Sequence, residues 1–158
     1  MDNTFNLKQI GKVAAKEAEL EVQLNKEYSD ALTNIEGFSH LQVIWWGDHY
    51  DKDEYRSITT TDKPYKKGPD KIGIFGTRSP VRPNPLLMTT IQVIEIDTKK
   101  GIIRTPYIDA ENDTPVLDIK AYHKSERIKE CKVPEWCEHW PEWYEDSAVF
   151  DWEAEFNF

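Results

Sequence analysis

The chain is short of cysteine, of long apolar runs and of positive charge, and each shortage removes a class of protein. Only two cysteines occur, Cys131 and Cys137. That is too few for the disulfide framework of a small secreted domain. Their C-x5-C spacing, with His139 nearby, does not supply the four paired ligands of a structural zinc site, so two unpaired thiols and no metal are expected. No apolar run approaches the roughly 20 residues of a membrane span. The opening MDNTFNLKQIGKV lacks the basic and apolar blocks of a signal peptide. A cytoplasmic protein with no membrane partner is expected. G-x-G-x-x-G after a strand, a P-loop, a G-x-S-x-G elbow and H-E-x-x-H are all missing.

Apolar residues make up only 39% of the 158, yet six tryptophans, seven tyrosines and six phenylalanines are present. Large rings supply enough buried area for one domain with a genuine core. The formal net charge of −9 argues against nucleic-acid binding across the whole surface. The distribution is uneven. Lys63, Lys66, Lys67, Lys71, Arg78 and Arg82 face a single acid, Asp70, in the same stretch, whereas 130–158 is acidic and rich in tryptophan.

Short runs of apolar alternation with Gly and Pro punctuation predict a mostly β domain, a small β-barrel with a few short helices. Strands are expected over 4–13, 20–24, 40–46, 72–76, 88–97, 102–108 and 116–119. A phase change between Val93 and Ile94 predicts a bulge or two-sided burial. A short helix is expected from Ser29, as N-cap, to Ile35, with Gly37 past its end. One or two helical turns are expected over 125–131. The polar stretch 47–71 reads as a long loop. The barrel would occupy 1–125, and a tail over 126–158 would pack on it. Trp136, Trp140 and Trp143 have the spacing of one helical face, interrupted by Pro141.

The stretch GIFGTRSPVRPNPLL, residues 73–87, carries three prolines in six positions. Each removes an N–H and biases Ser79, Arg82 and Asn84 towards extended backbone. A stiff loop orders at low entropic cost, so it holds Thr77, Arg78, Ser79, Arg82 and Asn84 in fixed places. That set suits a carboxylate, a phosphate or a polar cofactor. It equally suits a rigid loop whose arginines pair with the protein's own acids. His40, Asp48 and His49 flank a strand, and Asp109, Glu111, Asn112, Asp113 and Asp118 form an acidic cluster.

FSHL at 38–41, GIFGTRSPVRPNPLLMT at 73–89 and DTPVLDIKAY at 113–122 together resemble, in order and spacing, the TrmO (TsaA/YaeB-like) family. The resemblance covers roughly 5–125. It implies a small β-barrel that binds S-adenosyl-L-methionine, forms homodimers and methylates N6 of threonylcarbamoyladenosine at position 37 of tRNA. It implies a cofactor site at Asp48, His49, Arg78, Met88, Tyr107, Ile108, Asp109 and Ala110. Arg82 and Asn84 of the loop, with Lys66 and Lys67 of the basic stretch, are the candidate acceptor-binding residues. His40 and His49 are the candidate bases. Three departures stand out. The family's Pro- and Gly-containing segment after its first strand reads KEAELEVQL here, its PNPIG reads PNPLL, and its DGTPV reads NDTPV. Two other readings stay open: a methyltransferase of a small metabolite, and a barrel that binds a ligand or partner without chemistry.

Overall fold

Apolar side chains at alternate positions build the framework. The protein is described here by a computed structural model covering residues 3–16 and 19–158. Glu17 and Ala18, inside the departing KEAELEVQL segment, lie outside the described residues. Strand β1 (Gly11–Ala15) pairs antiparallel with β2 (Leu20–Leu24). Then follow β3 (His40–Trp46), β4 (Thr60–Asp62), β5 (Lys71–Gly73) and β6 (Leu86–Gln92). The last three are β7 (Glu95–Asp97), β8 (Ile102–Thr105) and β9 (Pro115–Ala121). Seven strands make one antiparallel sheet in the order β6-β3-β9-β1-β2-β8-β7, and β4 pairs with β5 apart from it.

The two outermost strands, β6 and β7, are successive parts of one run of chain. The Val93 amide donates to the Ser39 carbonyl, and the Ile94 amide donates to the Arg104 carbonyl, each at 2.9 Å. The two amides therefore serve opposite ends of the sheet. The phase change at Val93 and Ile94 is the bend that allows this. Among the described residues no ladder joins β6 to β7. A fully laddered barrel would seal at that point; here the sheet meets itself through the bend.

Val13, Val22, Leu41, Val43, Ile91, Ile103 and Val116 alternate along their strands and are fully buried. Each contributes about 1.5–3 kcal/mol relative to exposure. Leu32, from a 3₁₀ turn over Lys26–Leu32, joins the same core.

Several expected elements differ. The first strand begins at Gly11 rather than at 4, because Phe5 and Leu7 are exposed and have no sheet face to cover. The helix expected from Ser29 to Ile35 is instead the 3₁₀ turn over Lys26–Leu32. It follows Asn25, whose side chain makes no cap, although Gly37 beyond it does take a φ of +98°. The run 72–76 divides into β5 and a 3₁₀ turn over Ile74–Gly76, where Ile74 turns into the core. The long loop 47–71 holds a 3₁₀ turn over Asp48–Tyr50, one α-helical turn, α1 (Asp53–Arg56), and β4. The strand expected over 102–108 stops at Thr105, and helical structure in 125–131 shrinks to the turn Lys124–Glu126.

Trp136, Trp140 and Trp143 do not share a helix. Pro141 lacks the N–H to continue one, and only Glu135–Cys137 forms a 3₁₀ turn. Trp136 stacks on Tyr65 at 4.9 Å and Trp140 meets the same ring edge-on at 5.2 Å, while Trp143 is exposed. The end of the chain also reaches this place. Tyr65 and Phe156 form a β-bridge, the Lys66 amide donates to the Glu155 carbonyl, and the Asn157 amide donates to the Pro64 carbonyl. Cys131 is exposed and Cys137 buried, and neither is bridged.

Candidate functional site

The proline-rich loop is held by its own hydroxyls. Thr77 Oγ1 donates to the Ile74 carbonyl at 2.8 Å and accepts from the Ser79 amide, and Ser79 Oγ accepts from the Val81 amide. Its far end is pinned from α1. Arg56 donates to Asn84 Oδ1 at 3.1 Å and to Asp51 Oδ1 at 2.8 Å, and its guanidinium lies 5.7 Å from the Trp46 ring centroid. The Arg56 hydrogen bond, with a second from the Trp46 indole, holds the Asp51 carboxyl below its usual range. Arg78 then folds the loop back onto β6, donating to the Met88 carbonyl at 2.7 Å.

Between this loop and the segment after β8 lies a cleft of about 720 Å³. The loop contributes Phe75, Arg78 and Arg82, and β6 contributes Leu87 and Met88. The segment after β8 contributes Tyr107, Ile108, Asp109, Ala110 and Glu111. Trp45 completes it from β3. The β3–β9 register shifts between Ile44 and Trp45, a bulge that re-aims the last residues of β3. Burial raises the affinity of the Tyr107 hydroxyl for its proton, and the Asp109 carboxylate beside it adds to the effect.

Seven sequence-derived site residues thus share one cleft: Arg78, Arg82, Met88, Tyr107, Ile108, Asp109 and Ala110. His49 stands at its edge, its Nδ1 3.1 Å from Glu111 Oε2, with an Asp48 carboxylate oxygen 4.0 Å from its Nε2. Four other candidates lie elsewhere. His40 begins β3, roughly 16 Å along the strand from Trp45, with its Nδ1 2.9 Å from Ser39 Oγ and its ring edge-on to Tyr144. Asn84 faces Arg56. The Lys66 ammonium donates to the Glu153 carbonyl at 3.2 Å, and the Lys67 charge acts on Glu155, so both lysines face the tail. Trp45, Tyr50, Phe75, Leu86 and Leu87 also line the cleft although no motif marks them as site residues, and so does Glu111 of the acidic cluster. Phe75 could have been found: it is a large apolar residue inside the quoted loop, next to glycine. Among the described residues, no cluster of three or more His, Cys, Asp and Glu is placed to hold a metal ion, and no helix is long and apolar enough to cross a membrane.

The departures from the family pattern also find a place. Leu87, at the glycine of PNPIG, packs where Gly47 leaves room: a Cβ on Gly47 would stand 3.1 Å from Leu87 Cδ1. Asp113, at the glycine of DGTPV, keeps the left-handed backbone with a φ of 67°.

Comparison with known families decides the relationship. The tRNA-methyltransferase O N-terminal domain matches residues 8–126. The chain belongs to this family. Among curated relatives, an S-adenosyl-L-methionine-binding protein of Archaeoglobus fulgidus is 32% identical over 102 residues, covering 65% of this chain and 68% of its own. The tRNA (adenine(37)-N6)-methyltransferase of Escherichia coli is 32% identical over 117 residues, 73% of this chain and 49% of its own. A crystal structure of TrmO from Pseudomonas aeruginosa shares the fold, with a TM-score of 0.60 and 19% identity over 82% of this chain and 62% of that one. The chain therefore spans about half to two thirds of the length of these proteins.

Proposed function

We propose that this chain is an S-adenosylmethionine-dependent methyltransferase acting on N6 of adenine 37 in tRNA, with threonylcarbamoyladenosine as the modified base. The observation that carries the reading is the presence of opposite charges around one partly apolar cleft. Arg78 and Arg82 enter from the loop, Asp109 and Glu111 from the segment after β8, and Leu87, Met88 and Ile108 lie among them.

That donor set fits the cofactor. Arg78 spends one guanidinium N–H on the Met88 carbonyl, and the same planar fork would pair a carboxylate. The Asp109 carboxylate would accept from ribose hydroxyls. Leu87 and Ile108 would cover a purine. When bound, S-adenosylmethionine supplies a methyl group on a positively charged sulfur. The chain has to hold the accepting nitrogen in line with that carbon and keep water out, which needs positioning rather than a covalent intermediate. The proton released from the exocyclic nitrogen goes to His49, whose ring is fixed through Nδ1 by Glu111. His40, at the other end of β3, is too far away to serve.

Calorimetric titration of S-adenosylmethionine and S-adenosylhomocysteine tests the reading. Saturable binding is expected, weakened at least ten-fold by Arg78→Ala through loss of a charge-assisted pair. Absence of binding to the folded native chain would overturn it. The acceptor is checked by methyl transfer to tRNA followed by nucleoside analysis at position 37.

A further inference from the structure

We infer that Phe75 is the platform on which the base of a single-stranded nucleic acid stacks as it enters the cleft. Phe75 belongs to the cleft lining, yet it is 81% exposed. It sits between two immobilised neighbours. Ile74 is buried at 3% exposure, and the Thr77 amide and hydroxyl both bond the Ile74 carbonyl. Gly76 packs so closely that an added Cβ would stand 3.0 Å from Ile72 Cδ1. The backbone is therefore fixed, and only two side-chain torsions remain to be ordered when a ligand covers the ring. Phe5, Trp143 and Phe158 are exposed too, but none of them lines this cleft. The rings of the C-terminal cluster cover one another, as Tyr65 does with Trp136 and Trp152 with Phe156.

A single exposed phenyl ring is ordinary on a surface; Phe75 differs because it lines a cleft beside two arginines. The surroundings say what would cover it. Tyr107, also half-exposed, offers a second ring within the same cleft. Arg82 follows Phe75 by seven residues and lines the same cleft, and the phosphate of a nucleotide whose base is stacked there would meet that charge, while Arg78 serves the cofactor. Aromatic rings beside cations are the general means of holding unstacked bases, because every base has a π-face and every nucleotide a phosphate. A small neutral metabolite would use the ring without the arginines, and a peptide would not need its flat face. A duplex cannot insert a base here without first unpairing it, so the ligand is a loop or an unpaired strand. The inference rests on the methyl-transfer reading for what happens after stacking; the stacking itself can be tested apart from it.

The experiment is a fluorescence titration of the full chain with a short unstructured oligoadenylate carrying one 2-aminopurine, whose emission is quenched on stacking. The native chain is expected to bind and quench it. Phe75→Ala should weaken binding about ten-fold or more and abolish the quench, while Phe75→Trp keeps both. Affinity for S-adenosylhomocysteine and the melting temperature should be unchanged in Phe75→Ala. Equal binding and quenching by Phe75→Ala, or no binding by the native chain, would overturn the inference. So would a parallel loss of S-adenosylhomocysteine affinity, which would place the ring on the cofactor. Dissociation of a native oligomer by Phe75→Ala would place it between two copies and overturn it too. Failure of the native chain to bind S-adenosylhomocysteine strikes the methyltransferase reading instead and leaves the oligonucleotide result to stand alone.

Discussion

Asp113 shows how a single residue can leave a sequence motif and keep its geometry. Left-handed backbone favours glycine, and Asp tolerates it better than most residues because its short side chain can bond locally. Here the Asp113 carboxylate accepts from Lys12 Nζ at 2.5 Å and from the Asn112 side-chain amide at 2.7 Å, and Asn112 Oδ1 accepts from the Ala15 amide. The Lys12 pair is exposed and contributes little. Asp113→Gly should therefore leave stability within about 0.5 kcal/mol of native, whereas Asp113→Val should lose about 1–2 kcal/mol. Denaturant melts of the two variants separate these outcomes, and equal loss in both would mean that the carboxylate, not the backbone, governs the turn. At this scale the sequence was legible where a residue's chemistry is local. The proline-stiffened arginines could be read because proline acts on its neighbours. That Asn84 turns to Arg56 could not, since the partner lies on another segment and nothing in the loop encodes it.

Among elements, β1 leaves no room at Gly11. Gly11 pairs with Leu24 on one side and Val116 on the other. A Cβ there would fall 2.3 Å from the Gln23 carbonyl oxygen and 2.9 Å from Leu24 Cα, both backbone atoms that cannot swing aside. Gly11→Ala should cost about 2 kcal/mol or more by forcing β1 and β2 apart. An unchanged melting temperature would show that the strand can shift freely. The strand patterns were largely readable: β2 and β3 run as their alternation predicts, and the break at Val93 and Ile94 falls where the apolar phase changes. The first strand and the short helices were misread because propensity cannot say which apolar residues will find a face. Phe5 and Leu7 alternate well enough, yet no strand lies beside them.

Over the whole molecule, the tail is the feature that sequence could place only as packing somewhere on the barrel. Its aromatic spacing read as a helical face, but the partner is Tyr65, far away in the chain. Tail docking should respond to acid. His139 lies 2.9 Å from Glu155 and the Trp140 indole donates to the same carboxylate oxygen, and these bonds hold Glu155 below its usual range. A carboxylate lowered in the folded state stabilises fully above its unfolded value, and that contribution fades as pH falls towards the folded one. Tryptophan emission should therefore shift at acidic pH in the native chain and less in Glu155→Gln; identical profiles would remove Glu155 from the docking. The sheet order also constrains synthesis. Strand β9, among the later elements of the sequence, lies between β3 and β1. Until it leaves the ribosome, the β6-β3 pair and the β1-β2-β8-β7 group are joined only by the connections at 25–39 and 93–94, and each presents an open strand edge. A chain stalled before residue 121 would hold the whole cleft in sequence with its two sides unjoined, and with two edges ready to capture a neighbouring nascent chain.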